Sequence, residues 1–178
     1  MSAGGSDAGQ RAPAARDAAS KISSLDALAA RLDQAPEARE GLVLANGIFD
    51  LLHVGHLRYL AAARAAGAAL LVAVNSDASA HRLKGPGRPL LPLAERLELI
   101  AALECVDLVV PFEGDTVEEV LRRVRPAIHA KGTDYTVESV PERGIARELG
   151  VRTMIVGDPK EHASSELIGR IRRSGSNG

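Results

Sequence analysis

Five short apolar segments alternate with amphipathic ones between residues 42 and 156. Each apolar segment is free of internal proline and has the continuous hydrophobicity of a strand that is buried on both faces. Strands are predicted over residues 42–46, 69–74, 107–110, 127–130 and 151–156. Strands that alternate with helices form a parallel, doubly wound sheet, in which ligands bind at the carboxyl ends of the strands. The pattern therefore predicts an α/β fold whose functional site lies at that edge.

The segments between the strands have apolar residues at helical spacing. Helices are predicted over residues 57–66 and over residues 92–103, where Pro92 takes the first turn. Asp115-x-x-Glu118 predicts a capped helix that Pro126 ends. Each of these helices connects two predicted strands, as the crossovers of a parallel sheet require.

The N-terminal region differs in composition from the rest of the chain. Residues 1–21 have few large apolar side chains, which predicts a flexible tail, and residues 174–178 predict a second one. Ser23-x-x-Asp26 resembles a capping box, so residues 22–40 are expected to form a helix and a linker. We expect this helix to pack on the body of a single domain at 41–173 or on a partner subunit, and we expect a homo-oligomer, a dimer or higher.

Charge and composition favour small partners. The chain has 22 basic and 23 acidic side chains, a net charge of -1, and only 2% aromatic residues. Neither nucleic acid nor an anionic membrane is expected to bind, since both require a basic surface and single strands also require stacking platforms. The one cysteine, Cys105, excludes an intrachain disulfide, and the longest apolar run, residues 68–74, is too short to span a bilayer. We expect a cytoplasmic location.

The stretch Gly47-Ile-Phe-Asp-Leu-Leu-His-Val-Gly-His56 ends the first predicted strand and opens a helix. The first N–H groups of a helix lack partners within it and bind anions, and glycine lets a phosphate approach the backbone closely. His53 and His56 are three residues apart and can face the same bound group. The stretch predicts a phosphate site, with metal binding or simple helix capping as the alternatives for the histidines.

The pattern Gly-x-Phe-Asp-x-x-His-x-Gly-His resembles the signature of the cytidylyltransferase-like nucleotidyltransferases. This resemblance implies a Rossmann-like single domain with helices on both faces of the sheet. It also implies transfer of a nucleoside monophosphate from a nucleoside triphosphate, with Mg²⁺ carried on the triphosphate and no metal held by the protein. His53 and His56 take catalytic positions in this resemblance. The positions it assigns to nucleotide binding here are Asn46, Gly47, Ile48, Phe49, Asp50 and Gly55.

A basic segment follows the second strand. Val-Asn-Ser-Asp at residues 74–77, then Leu-Lys-Gly at 83–85 and Arg88-Pro89, resemble the second conserved block of bacterial sugar-phosphate adenylyltransferases. The resemblance assigns Lys84 to the phosphates as a catalytic cation, in a mobile loop able to fold over a polyphosphate; an ordinary solvated loop is the alternative. Arg96 either faces the site or lies on the surface beside Glu95. The candidates for acceptor or phosphate contacts are Asn75, Asp77, Arg82, Arg88 and Arg96.

Two further segments follow later strands. Lys-Gly-Thr-Asp-Tyr at 131–135 resembles the Lys-Gly-Gly-Asp-Tyr of heptose 1-phosphate adenylyltransferases, and Thr133 in place of glycine predicts a slightly different backbone. His129 is expected to be structural. In the resemblance, hydroxyl groups after the last strand bind a terminal phosphate, although simple helix capping would also explain them. The nucleotide-binding positions assigned here are Lys131, Gly132, Asp134, Tyr135, Gly157, Ser164 and Ser165.

The matching segments cover residues 42–171 and resemble the adenylyltransferase half of bifunctional heptose-phosphate enzymes. We therefore expect a stand-alone adenylyltransferase that transfers AMP from ATP to a sugar 1-phosphate, with its kinase encoded separately. An ionised acceptor phosphate has no proton to lose, so Asp50 is expected to brace its loop rather than act as a base. The alternatives are a CTP-dependent cytidylyltransferase for glycerol 3-phosphate and a nucleotide-binding module without turnover.

Overall fold

The computed structural model describes residues 17–158, in which five strands form one parallel sheet of order β3-β2-β1-β4-β5. The strands are β1 (Leu42–Gly47), β2 (Ala69–Asn75), β3 (Leu108–Phe112), β4 (Ile128–Lys131) and β5 (Arg152–Ile155). In register, Leu44 of β1 lies beside Leu71 of β2 on one side and beside His129 of β4 on the other. This order and the parallel pairing confirm the predicted Rossmann-like fold.

Six α-helices surround the sheet within residues 17–158. They are α1 (Leu25–Gln34), α2 (Val54–Ala65), α3 (Asp77–Lys84), α4 (Leu93–Ala101), α5 (Glu118–Val124) and α6 (Arg143–Glu148). Short 3-10 helices lie at Ala18–Lys21, Pro36–Arg39 and Val137–Ser139. Within this described part of the chain, no helix has both the length and the hydropathy needed to cross a membrane.

The core has two parts, one on each face of the sheet. Successive strand residues point to opposite faces, so Leu44 packs in one part while its neighbour Val43 packs in the other. The first part is covered by α1, α5 and α6, with Leu28 of α1 buried in it. The second is covered by α2 and α4, which bury Leu60 and Ile100. Helix α1 therefore packs on the body of its own domain, one of the two expected locations.

The predicted N-terminal tail is too long by at least four residues. Residues 18–21 form a 3-10 helix whose N-cap is Asp17, and Lys21 is buried with its Nζ donating to the Leu103 carbonyl oxygen at 3.0 Å. Ile22 then forms a parallel bridge with Val109 of β3. The composition argument missed this because a lysine buries its methylene stem while its ammonium group remains hydrogen-bonded.

Both predicted helix caps are wrong in detail. The N-cap of α1 is Ser24 rather than Ser23, and its Oγ accepts from the Ala27 N–H at 3.1 Å. Helix α5 begins at Glu118 without a side-chain cap from Asp115, whose carboxylate instead accepts from Arg82 at 2.9 Å. A distant side chain therefore competes successfully for the carboxylate that the local pattern assigned to the helix.

The order of the strands places the functional site. β1 pairs with β2 on one side and with β4 on the other, so the connections leave β1 and β4 toward opposite sides of the sheet. A crevice forms at the carboxyl ends of the strands at such a switch point. The segments that follow β1, β2, β4 and β5 all begin at this edge.

Candidate active site

The imidazole rings of His53 and His56 are stacked, with centroids 3.9 Å apart and planes inclined by 23°. His53 is the N-cap residue of α2, but its side chain makes no capping hydrogen bond, and His56 lies in the first turn. Phe49 contacts His56 edge to face with centroids 5.3 Å apart. Simple helix capping, one alternative for this pair, is therefore excluded for His53. The two rings lie together at the end of a helix that attracts anions.

His56 is held neutral in the absence of a ligand. Burial lowers its pKa to about 4, with smaller contributions in the same direction from His53 and Lys84, while a backbone hydrogen bond with Leu51 raises it. A neutral imidazole still has one N–H to donate. A phosphate between these groups would supply a negative charge that favours protonated His56, the form that burial and the cationic neighbour disfavour.

Phe49 takes a left-handed backbone conformation, with φ of 51°, and is buried. Its ring covers Gly47, where an added Cβ would lie 3.1 Å from the ring atoms. The packing of Phe49 thus favours glycine at 47, a reason different from the predicted close approach of a phosphate. A non-glycine residue in this conformation stores strain, which is common at functional sites.

Asp50 braces the segment before α4. Its Oδ1 accepts from the backbone N–H groups of Leu90 at 2.6 Å and Leu91 at 3.0 Å, and its Oδ2 lies 2.7 Å from Nη2 of Arg88. This geometry agrees with the expected bracing role of Asp50. Arg88, a candidate phosphate contact, is instead paired with a buried carboxylate.

Arg96 matches neither of its sequence interpretations. Its side chain is fully buried and donates to the carbonyl oxygens of Ile48 at 2.6 Å and Asn75 at 2.8 Å. It also donates to the Leu91 carbonyl at 3.0 Å and pairs with Asp77 at 2.6 Å. Arg96 therefore ties the ends of β1 and β2 to the segment before α4, and Asp77 serves as its counter-ion.

The predicted mobile loop after β2 is partly helical, since Arg82 and Lys84 lie on α3. Arg82 pairs with Glu113 at 3.1 Å and Asp115 at 2.9 Å, which directs it to the segment after β3. Asn75 donates to Ser79 Oγ at 2.9 Å and so supports α3. Of the three basic candidates at 82, 84 and 88, only Lys84 contributes to lowering the His56 pKa.

A second polar cluster lies at the end of β4. The Lys131 Nζ is 3.3 Å from Asn46 Oδ1, 3.4 Å from Glu142 Oε2 and 4.8 Å from the centroid of the Tyr135 ring. Lys131 and Glu142 are buried, whereas Tyr135 is partly exposed. We name these four residues, together with His129, the Lys131 cluster. Sequence reasoning missed Glu142, because a glutamate among charged residues has no pattern that distinguishes it from a solvated one.

His129 has the structural role that was predicted. It is fully buried, and its Nε2 lies 3.2 Å from Asn46 Oδ1. Burial, with a smaller contribution from Lys131, lowers its pKa to about 4, while Glu142 opposes this. His129 is therefore neutral near pH 7, and because Asn46 presents an oxygen, the His129 Nε2 carries the proton.

Helix α2 is fixed to the ends of β4 and β5. The Tyr59 hydroxyl donates to the Ala130 carbonyl at 2.9 Å, and burial raises the pKa of Tyr59. Gly157 has φ of 95°, and an added Cβ there would lie 3.3 Å from Tyr59 Cα. Gly157 is thus required for close packing on α2, in addition to any contact with a ligand.

The turn after β4 accommodates threonine in place of glycine. The backbone of Thr133 does not adopt a positive φ, so this position does not require glycine. The Thr133 hydroxyl donates to the Asp158 carbonyl at 2.7 Å. Gly132 and Tyr135 close the turn through a backbone hydrogen bond of 3.1 Å, with Asp134 between them. Ser164, Ser165 and the predicted tail at 174–178 lie outside the described residues.

Fold and site together define the class of the protein. A family model described as cytidylyltransferase-like matches residues 44–170, and the chain belongs to this family. It is a nucleotidyltransferase, as the sequence pattern around His53 and His56 predicted.

More specific relatives can be named. The chain is 44% identical over 156 residues to the bifunctional protein HldE of Geotalea uraniireducens (strain Rf4), which covers 88% of this chain and 32% of the relative. It is 39% identical over 153 residues to the bifunctional protein HldE of Pseudomonas fluorescens (strain Pf-5), with 86% and 32% covered. The chain therefore spans about a third of the length of these curated relatives.

Two solved structures are also similar to this chain. The lipopolysaccharide core biosynthesis protein of Thermoplasma volcanium is 27% identical, with a TM-score of 0.60 over 68% of this chain and 99% of that one. Pantothenate synthetase from Thermus thermophilus is 22% identical, with a TM-score of 0.56 over 83% of this chain and 64% of that one. The second similarity supports the fold alone.

Proposed function

We propose that this nucleotidyltransferase transfers AMP from ATP to a sugar 1-phosphate, with heptose 1-phosphate as the acceptor and pyrophosphate as the second product. The observation that carries the proposal is the stacked pair of His53 and His56, with Lys84 close enough to influence His56, at the switch point of the sheet. Support for the acceptor comes from the segment at 131–135, which resembles that of heptose 1-phosphate adenylyltransferases, and from the similarity to the HldE proteins.

The reaction requires positioning and charge stabilisation more than covalent chemistry. An oxygen of the acceptor phosphate attacks the α-phosphorus of ATP and forms a new P–O bond. The bond from the α-phosphorus to the bridging oxygen breaks, and pyrophosphate leaves with the electron pair. No proton needs to be removed from an ionised acceptor, which suits the bracing contacts of Asp50 with Leu90 and Leu91.

His53 and His56 are the donors to the phosphate oxygens on which charge develops. Their stacked rings present two donors to one region, and Lys84 adds a positive charge. Mg²⁺ enters on the triphosphate, whose oxygens are the ligands that this ion prefers. The homo-oligomer and the cytoplasmic location stay predictions.

The direct test is a screen of ATP, CTP, GTP and UTP against several sugar 1-phosphates and glycerol 3-phosphate, with pyrophosphate release as the measurement. We expect the highest kcat/KM for ATP with heptose 1-phosphate, and loss of the reaction when EDTA removes Mg²⁺. Preference for CTP with glycerol 3-phosphate would assign the chain to the alternative reaction. Nucleotide binding without pyrophosphate release from any pair would favour a binding module.

A further inference from the structure

Glu142 joins three separate parts of the fold although it lies in no recognised motif. It is the N-cap residue of α6 and is only 3% exposed. Its Oε1 accepts from the Val117 N–H at 3.3 Å, and its Oε2 lies 3.4 Å from Lys131 Nζ. Both carboxylate oxygens are therefore engaged, one by the residue before α5 and the other by the last residue of β4.

The Lys131 ammonium group has a partner for each of its three hydrogens. These partners are Glu142 Oε2, Asn46 Oδ1 and the face of the Tyr135 ring. The residue is 6% exposed, so its charge is neutralised inside the protein rather than presented to the crevice. This arrangement differs from that of a lysine that contacts phosphate directly, as we propose for Lys84.

The ammonium group also fixes the orientation of the Asn46 amide. An ammonium group can only donate, so Asn46 must direct its oxygen toward Lys131, and the same oxygen faces Nε2 of His129. The amide Nδ2 is then directed away from the Lys131 cluster. Asn46 precedes Gly47 at the end of β1, where the connection to His53 begins.

We propose that Glu142 is a positioning residue for nucleotide binding: it holds Lys131 in place, and Lys131 in turn orients Asn46 and Tyr135 toward the nucleotide. The inference rests on the proposed function for the identity of the nucleotide. Tyr135 is 37% exposed and lies over Lys131, so its ring is partly open to a ligand. The neutral Lys131 cluster would therefore support the nucleoside part of the substrate, while the His53–His56 pair and Lys84 act on the phosphates.

The test compares Glu142→Gln with wild type and with Glu148→Gln. The control residue lies on the same helix, is largely exposed and pairs with Arg122 at 3.5 Å. Val117 and Lys131 donate to different oxygens of Glu142, and glutamine replaces one of these oxygens with an NH₂ group that cannot accept. We expect Glu142→Gln to raise the Kd and KM for ATP about tenfold, the effect of losing one charge-assisted hydrogen bond, with kcat nearly unchanged. Glu148→Gln should match wild type.

The direction of the change in the Kd for ATP distinguishes a positioning role of Glu142 from a purely structural one. An unchanged Kd with a lower melting temperature would show that Glu142 is only structural and would overturn the proposal. Tighter ATP binding would also overturn it, because a released Lys131 would then contact the phosphates directly. Titration of the wild type with ATP and with CTP first identifies the nucleotide that binds. The variants are then tested with that nucleotide. A wrong assignment of the nucleotide under the proposed function is therefore recognised separately from a wrong role for Glu142.

A second variant covers the case in which Glu142→Gln does not fold. Lys131→Met combined with Glu142→Leu removes both charges and leaves no buried ion without a partner. We expect this double variant to fold and to bind ATP at least about tenfold more weakly than wild type, because Asn46 and Tyr135 lose the group that orients them. Wild-type ATP affinity in this variant would overturn the proposal.

Discussion

His53 and His56 stack their imidazole rings 3.9 Å apart, although only His56 lies within helix α2. Two imidazoles this close cannot both carry a positive charge at low cost, and His53 lowers the His56 pKa. Burial and this neighbour therefore keep the His56 ring neutral near pH 7. The negative charge of a bound phosphate would favour the protonated state of His56.

Replacement of His56 tests the donor role. We expect His56→Ala to reduce turnover roughly 100- to 1,000-fold, because a donor that acts mainly on the charge of the transition state is lost. The affinity for ATP should fall much less. Steady-state kinetics together with calorimetric titration separate kcat from Kd. The matched control is His81→Ala, which removes an exposed histidine on α3.

The double variant of His53 and His56 should cost less than the sum of the two single losses, since both donors act on one charge cluster. Near wild-type turnover of His56→Ala would refute the catalytic assignment. A folded variant in which only ATP affinity is lost would make His56 a ground-state contact.

Lys84 should influence both turnover and the titration of His56. Lys84→Met removes a cation that lowers the His56 pKa, so we expect this pKa to rise above its value of about 4 while turnover falls. NMR titration of the His56 ring resonances measures the first effect and pyrophosphate release the second. Arg82→Met is the control, because Arg82 pairs with Glu113 and Asp115 instead. An unchanged His56 pKa would place Lys84 away from the site.

Stability should fall on acidification through the range between the ordinary histidine pKa and about 4. His56 and His129 both have a pKa lowered to about 4 in the folded protein, so between pH 6.5 and 4 the unfolded state binds more protons than the folded state. The free energy of unfolding therefore decreases as pH falls, by on the order of 2 to 3 kcal/mol for the fully buried His129.

Urea unfolding at pH 7 and at pH 5 measures this difference. His129→Gln should reduce the pH dependence, whereas His81→Gln, which changes an exposed histidine, should not. The same slope in His129→Gln and wild type would mean that carboxylates rather than this histidine control the acid response.

Arg96 should be a major determinant of stability. Arg96→Met leaves three carbonyl oxygens and the half-exposed Asp77 without their donor, so we expect a loss of about 3 to 5 kcal/mol from the several hydrogen bonds removed together. Thermal and urea unfolding measure it. Arg82→Met removes an exposed arginine with two carboxylate partners and should lower the melting temperature much less. Equal effects of the two variants would contradict the structural role of Arg96.

The sheet and the placement of His53 and His56 at a helix start were predictable because both depend on local patterns. The strand runs are continuous and apolar, and the pattern from Gly47 to His56 is contiguous in the chain. The contacts of Arg96 and Glu142 were not predictable, because their partners lie up to 48 residues away for Arg96 and 25 for Glu142. Tertiary structure decides which of several similar charged side chains becomes buried. The same reason explains why Arg82 and Arg88 pair with carboxylates of the protein.

The contacts of Asp50 and Arg96 divide the segment between α3 and α4 into a fixed part and a part that tolerates change. Both residues hold the segment at 88–91 through hydrogen bonds and an ion pair, so substitutions there would disturb the framework at the ends of β1 and β2. Gly85 and Gly87, in contrast, have open space around the position of an added side chain, although their positive φ favours retaining glycine. Changes at residue 86 or in the length of this short connection should therefore leave the buried contacts of Asp50 and Arg96 intact.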